Sequence, residues 1–454
     1  MRQRTPEIVA VTVLALLVVL FAVFGSGGSG GDSGGGETVS PERLARVERR
    51  VEQLRGLRFK RPVSVTVMTP AEVEAYGVRD EQASESRERV EAGEELMKLL
   101  GLLAPDVDMD AVTASIYGEQ VAGFYDPRTE RLALVEGVGI DDVTLAHELT
   151  HALEDQHFDL QRLGGTGESS DSGTSSDDDR SSGESGLVEG SATAVMLRYL
   201  QRYPGALTFG DALDQLGAAS GSTPLPPYIM SSLLFPYEQG EQFVEALLAR
   251  GGWSTVNTAL RSRPPLTTAD LYEPSRWFAR TRPASLSLPA GDAAGPGWRL
   301  LERSTLGEFD LRAVLAEAIG ARAAATLSGG WQGGRYALWR QGPLPAPDCA
   351  APCMQRDAFT LRLRFDSPAA AGAVAAAFGS WLAAEHDARR AAAAELAPRR
   401  AVDSAARGAP ASGAVATATR WTLAGGTAAV TSADGADVTL TLAPTPALAA
   451  RLSR

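Results

Sequence analysis

Asp141-Asp142-Val143-Thr144-Leu145-Ala146-His147-Glu148-Leu149-Thr150-His151-Ala152-Leu153-Glu154-Asp155-Gln156-His157 is the stretch from which the rest of the chain can be read. An aspartate ahead of an apolar-periodic run is a helix N-cap, so Asp141 or Asp142 predicts a helix from Val143 to about His157. A spacing of four residues turns a helix by about 400°, which sets His147 and His151 on one face, one turn apart. From there two ring nitrogens can reach one metal ion at roughly 2.0–2.1 Å. Glu148, one step round, is placed to take a proton from water at that ion instead of binding it. Leu145, Leu149, Ala152 and Leu153 form the buried side. The chain holds four histidines, and two of them occupy this motif.

The third ligand has several candidates. His157 completes a three-histidine spacing, but only if the helix turns back at Glu154, where that turn demands glycine. A continuing helix rotates His157 by about 600° from His151, off the metal face. Glu189 lies in Leu187-Val188-Glu189-Gly190-Ser191-Ala192, an apolar surround in which a lone carboxylate is costly unless paired or metal-bound. Glu189 is therefore preferred, with Glu184 and the acidic insert described below as further alternatives.

Upstream, Pro41 to Arg55 has helical periodicity and Pro62 to Met68 alternates like a half-buried strand. A charged helix is expected from about Asp80 to Leu102. Gln120 to Tyr125 and Arg131 to Val135 read as strands, joined through Asp126-Pro127-Arg128-Thr129 as a hairpin. Downstream, Gly164 to Gly186 turns to Gly, Ser and Asp and is expected to be a disordered acidic insert. Helices resume at Leu187–Leu200 and run on through Phe243–Leu248. Beyond about residue 290, strands are expected at 336–339, 359–365, 415–423, 427–431 and 438–442. Helices are expected at 369–384 and 387–396, with His386 on a polar, solvated surface. Cys349 and Cys353 are placed for a local disulfide.

Arg2 and Arg4 precede an uncharged apolar run from Ile8 to Phe24, at the short end of the roughly 17–25 residues that cross a bilayer. Residues 1–24 are thus expected to be an N-terminal transmembrane anchor or signal, and 25–40 a Gly/Ser linker. The expected location is the cell membrane, single-pass, with the body on the extracytoplasmic side, or secreted if the segment is cleaved. A formal charge of −13 argues against a nucleic-acid partner, and no stretch of the sequence resembles a basic groove.

The segment 147–160, together with Leu187 to Ala192, resembles bacterial zinc metallopeptidases of the gluzincin type, with two His and one Glu as ligands. Gly123-Phe124-Tyr125-Asp126-Pro127 and Phe235-Pro236-Tyr237-Glu238-Gln239-Gly240-Glu241-Gln242-Phe243-Val244 extend the resemblance. Pro264 to Thr268 and Gly330 to Tyr336 extend it less sharply. It implies an α+β fold with a zincin-like metalloprotease core over 41–289: a mixed sheet over the HExxH active-site helix, then a helical subdomain. A smaller C-terminal α+β domain follows over 290–454. It also implies Zn²⁺ on His147, His151 and Glu189, and an edge strand, from 120–125 or 131–135, that could pair with a peptide. Tyr237 becomes a candidate donor to an oxyanion. Related sequences favour an acidic residue where Ser191 stands, and a carboxylate there would fix a histidine tautomer. Glu154 and Asp159 are candidates for support of the metal.

The function expected on these grounds is a membrane-anchored, exported zinc metallopeptidase, with Glu148 as general base and a peptide or protein substrate. Two rivals remain: a catalytically silent, surface-tethered binding or scaffold protein that keeps its zinc, and a metal-dependent hydrolase of a non-peptide bond.

Overall fold

A computed structural model describes residues 39–73, 75–76, 87–119, 123–136, 140–163, 177–203, 225–262, 266–344, 349–386, 389–390, 417–423 and 428–454. In chain order the first elements are α1 (Pro41–Arg55), β1 (Ser64–Met68), α2 (Arg87–Leu99), α3 (Met109–Glu119), β2 (Gly123–Asp126) and β3 (Arg131–Val135). Five helices follow: α4 (Asp142–Phe158), α5 (Asp178–Arg202), α6 (Pro227–Gly251), α7 (Trp253–Ser262) and α8 (Thr268–Tyr272). After α9 (Pro274–Phe278) come β4 (Trp298–Thr305), α10 (Glu308–Ile319), α11 (Ala321–Ser328), β5 (Trp331–Gln341), β6 (Asp357–Phe365) and α12 (Pro368–Glu385). The chain closes with β7 (Arg389–Arg390), β8 (Thr417–Thr422), β9 (Ala428–Asp434), β10 (Asp437–Ala443) and α13 (Pro446–Leu452). Helices and sheets are both present and largely segregated, an α+β arrangement.

The chain divides into two units that interleave in sequence. One comprises Met1–Arg87, Asp106–Glu168 and Asp179–Thr281; the other comprises Glu88–Pro105, Ser169–Asp178 and Arg282–Arg454. In the first unit a three-stranded sheet has the order β1-β3-β2. β1 runs parallel to β3, whereas β2 pairs antiparallel with β3 in the expected hairpin. As the central strand, β3 has Leu132, Ala133, Leu134 and Val135 all buried, so Arg131–Val135 offers no edge to a peptide. The outer strands of the described sheet are β1 and β2.

Helix α1 starts on Ser40, whose hydroxyl accepts from Arg43 N–H, and stops at Gly56 in the left-handed conformation. Its Val47 and Val51 pack with Leu145, Leu149 and Leu153 of α4, Leu132 and Leu134 of β3, and Val195 and Tyr199 of α5. Each such side chain fully removed from water contributes about 1.5–3 kcal/mol. This core fixes α4 on its apolar side and leaves its histidine side for polar partners.

The second unit is a seven-stranded, wholly antiparallel sheet of order β4-β5-β6-β10-β9-β8-β7. α12 packs on β9 and β10. Leu448, Ala449 and Leu452 of α13 pack with Trp339, Ala337, Ala358 and Val430. Cys349 and Cys353 are joined by a disulfide. α2, from the N-terminal third of the chain, belongs to this unit. Its Glu95 is bonded to Arg340, which also pairs with Asp357.

Several expectations are corrected. No helix among the described residues is long and apolar enough to cross a membrane. That finding overturns the anchor, the membrane partner and the single-pass location; segment 1–24, on which they were based, lies outside the described residues, as does most of the linker. Residues 178–186, expected within the acidic insert, form the first turns of α5, while 164–176 lie outside the described residues. The helix expected over 387–396 is described only at 389–390, which are a short strand. His386 is not a solvated surface group: it caps α12, donates to Leu99 O and packs edge-on against Trp381.

Candidate metal centre

The site is assembled from three helices of the first unit. α4 begins at Asp141, whose carboxylate accepts from the N–H groups of Val143 and Thr144. Asp142 instead pairs with Arg43 and Arg46 of α1. The helix ends at Asp159 in the left-handed region. Between these stops it is buried on every side, so its polar residues must find partners within the protein.

His147 and His151 project together, as their spacing requires. Their Nε2 atoms lie 3.0 Å apart. Glu189 Oε2, from α5, lies 3.2 Å from His147 Nε2 and 3.4 Å from His151 Nε2. Three ligands bonded at about 2.0–2.1 Å in a tetrahedral array stand roughly 3.3 Å from one another. The triangle therefore fits one face of such an array, and the cluster could hold a metal ion. The donor chemistry agrees: two imidazoles and a carboxylate suit a borderline divalent cation. All three residues are at most 2 % exposed.

Glu148 is wholly buried. One oxygen, Oε2, accepts from the backbone N–H of Tyr125 on β2 at 2.8 Å. The other, Oε1, has no hydrogen-bond partner, and neither has Glu189 Oε1. Two carboxylate oxygens buried without a protein partner are costly, and a nearby cation would offset that cost.

Without metal, the charges settle among the four residues. Burial alone would raise Glu189, but the charge of His151 and hydrogen bonds from both histidines hold it down at about 2. Burial opposes a charge on His151 too, yet Glu189 overcomes that and lifts its pKa to about 9. His147 is lowered, chiefly by burial. Glu148 is pushed up to about 8 by burial, against the lowering effect of His151.

Tyr237, on α6, belongs to the same site. Its ring stacks on His147 with centroids 5.9 Å apart, and its phenol shares a hydrogen bond with the Glu189 carboxylate. Burial, reinforced by the charges of Glu189 and Glu148, raises its pKa well above the ordinary value. By contrast, His157 points away and donates to Arg58 O. Glu184 pairs with Arg180. Asp159 caps the helix, apart from the cluster. Glu154 is buried against Arg55 and accepts from Ser191 Oγ. At the position where the sequence led to the expectation of an acid, Ser191 reaches a carboxylate supplied from α4.

Arg55 and the backbone N–H of Tyr125 escaped the sequence reading. Neither carries a motif, because a lone helix-terminal arginine and a backbone donor leave no spacing signature. Gly186 and Gly190, four apart, were a usable signal for a close helix crossing.

Comparison with known proteins adds little at this site. A family model described as a domain of unknown function (DUF8575) matches residues 299–453, within the second unit, a range that does not include His147, Glu148, His151 or Glu189. No curated protein matches the chain. A solved structure described as a "putative hydrolase with a novel fold", from Chloroflexus aurantiacus, is similar at 19% identity and a TM-score of 0.36. It covers 61% of this chain and 98% of its own, and at that TM-score it carries no weight for fold or function.

Proposed function

We propose that the protein is a metal-dependent hydrolase, specifically a zinc peptidase with a zincin-like core. The observation that carries the reading is the unpartnered Glu148 Oε1 beside three converging ligand atoms. A set of three nitrogen and oxygen ligands without cysteine is the composition of zinc sites that keep a position open for reaction.

His147 and His151 would hold the ion through Nε2 and Glu189 through Oε2. When bound, it supplies a Lewis acid that acidifies water and polarises a carbonyl. The chain's own work is proton handling. Glu148 Oε1 takes a proton from the attacking water and delivers it to the departing amine nitrogen, so that amide plus water becomes acid plus amine. Tyr125 N–H holds Oε2 and thereby aims Oε1. Peptide specificity would come from β2, the outer strand beside α4.

The near-complete burial of His147, Glu148, His151 and Glu189 favours a second reading, in which the metal only pins the helices together. Metal content and hydrolysis of a casein substrate, measured for wild type, Glu148→Gln and Glu189→Ala, separate the two. The hydrolase reading expects Glu148→Gln to keep zinc and lose about 10²–10⁴-fold in rate, and Glu189→Ala to lose most of the zinc. A zinc-loaded wild type without hydrolysis of casein or a mixed peptide library would leave the second reading standing.

A further inference from the structure

Tyr237 is set in place by an unusually close helix crossing. Gly190, next to Glu189 on α5, packs directly on the backbone of Gly240 on α6; a Cβ there would collide with Gly240 C and O. A Cβ on Gly240 would in turn collide with the backbone of Gly186. The two helices therefore touch backbone to backbone within one turn of Glu189. Tyr237 stands three residues before Gly240, so its ring is delivered over His147 and its hydroxyl to Glu189. The ring is 5 % exposed and has little room to adopt another rotamer.

We propose that Tyr237 is a positioning residue for the third metal ligand: locked by the Gly186–Gly190–Gly240 crossing, its phenol orients the Glu189 carboxylate toward the two imidazoles. The inference rests on the metal site read above and deepens it. A free carboxylate on α5 could rotate about its side-chain torsions; one held by a buried phenol enters the cluster already aimed. An ion then finds its ligands in place and does not have to order them. This role differs from donation to an oxyanion, which would act on the reacting substrate and leave the resting metal untouched.

The test is zinc affinity of the full chain, measured by competition with a chromophoric chelator, with the visible spectrum of the Co²⁺-substituted protein as a second readout. Tyr237→Phe is expected to weaken zinc about 10–100-fold and to change the Co²⁺ bands. Tyr199→Phe removes a different buried phenol, on α5 and bonded to Arg50, and should change neither. Circular dichroism checks that each variant folds; Tyr237→Met replaces the phenylalanine variant if that one does not. Equal zinc affinity in wild type and Tyr237→Phe, with only turnover reduced, overturns the inference and leaves the hydrolase reading intact. A wild type that takes up no metal overturns both.

Discussion

Ser191 Oγ donates to Glu154 Oε1, and that hydrogen bond ties the helix bearing Glu189 to the helix bearing His147 and His151 outside the metal cluster itself. Arg55, fully buried, completes the link by pairing with the same Glu154 oxygen, bonding Asn257 and lying 4.2 Å over the Trp253 ring. The metal cluster thus has a charged brace one helical turn beyond His151.

Removing one partner of a buried ion pair strands the other. Arg55→Met should therefore destabilise the first unit by about 3–5 kcal/mol, read by urea unfolding of the full chain. Ser191→Ala, which leaves the ion pair whole, should cost about 1–3 kcal/mol. Equal losses for the two would mean that the ion pair contributes nothing beyond the hydroxyl.

The glycine crossing makes an opposite pair of predictions for one kind of substitution. Gly190→Ala and Gly240→Ala add a Cβ where backbone already stands, so both should lower the melting temperature steeply and abolish zinc retention. Gly93, inside α2, has nothing within 4 Å of such a Cβ. Gly93→Ala should stabilise by about 0.5–1 kcal/mol through helix propensity alone. Calorimetry of the three variants decides it.

Metal uptake should expel protons. His151, with a pKa of about 9 when metal-free, is charged at pH 7 and must become neutral to bind. Glu148, at about 8, also holds a proton that a neighbouring cation would drive off. Zinc binding at pH 7 is expected to release about two protons and none above about pH 10, with affinity rising over that interval. Titration calorimetry in buffers of different ionisation heat gives the number directly; a release near zero at pH 7 would contradict the charge assignment.

In the second unit, Asp357 is pushed up to about 8 by burial and by a hydrogen bond shared with Glu95, against the pull of Arg340. Its folded pKa lies above the ordinary 3.8, so the folded chain keeps a proton that the unfolded chain gives up. Stability from this group is complete below about pH 4 and is lost as pH rises through about 8. The melting transition of this unit should fall over that range, and Asp357→Asn should flatten the slope.

What was legible follows from where the determinants are local. The cap at Asp141, the four-residue histidine spacing and the 131–135 strand are written in neighbouring residues, and each appears where expected. Glu189 could be singled out because a carboxylate among Leu187, Val188 and Ala192 has few cheap explanations. The start of α5 could not. Gly183, Ser185 and Gly186 look like flexible sequence, yet Gly183 lies on the backbone of Leu266 and Thr267, and Gly186 lies on Leu271. A glycine kept small for a neighbour is indistinguishable, in one sequence, from a glycine kept for flexibility. α10, α11 and α13 were missed as short or alanine-bearing runs, and β4 because Trp298, Leu300 and Leu301 do not alternate cleanly with polar residues. The apolar run at 8–24 lies outside the described residues, and no helix among those described is long and apolar enough to cross a membrane.

The second unit draws residues 88–105 and 169–178 from far upstream. A fragment beginning at 299 would contain every strand of its sheet except Trp298, the first residue of β4, but not the glutamate that Arg340 grips. During synthesis, Glu95 of α2 leaves the ribosome about 245 residues (340 − 95) before its partner Arg340, roughly twelve to fifty seconds at ordinary elongation rates. Graftable halves are therefore not to be had by cutting this gene once; any transplant of the C-terminal sheet has to carry its distant helix along.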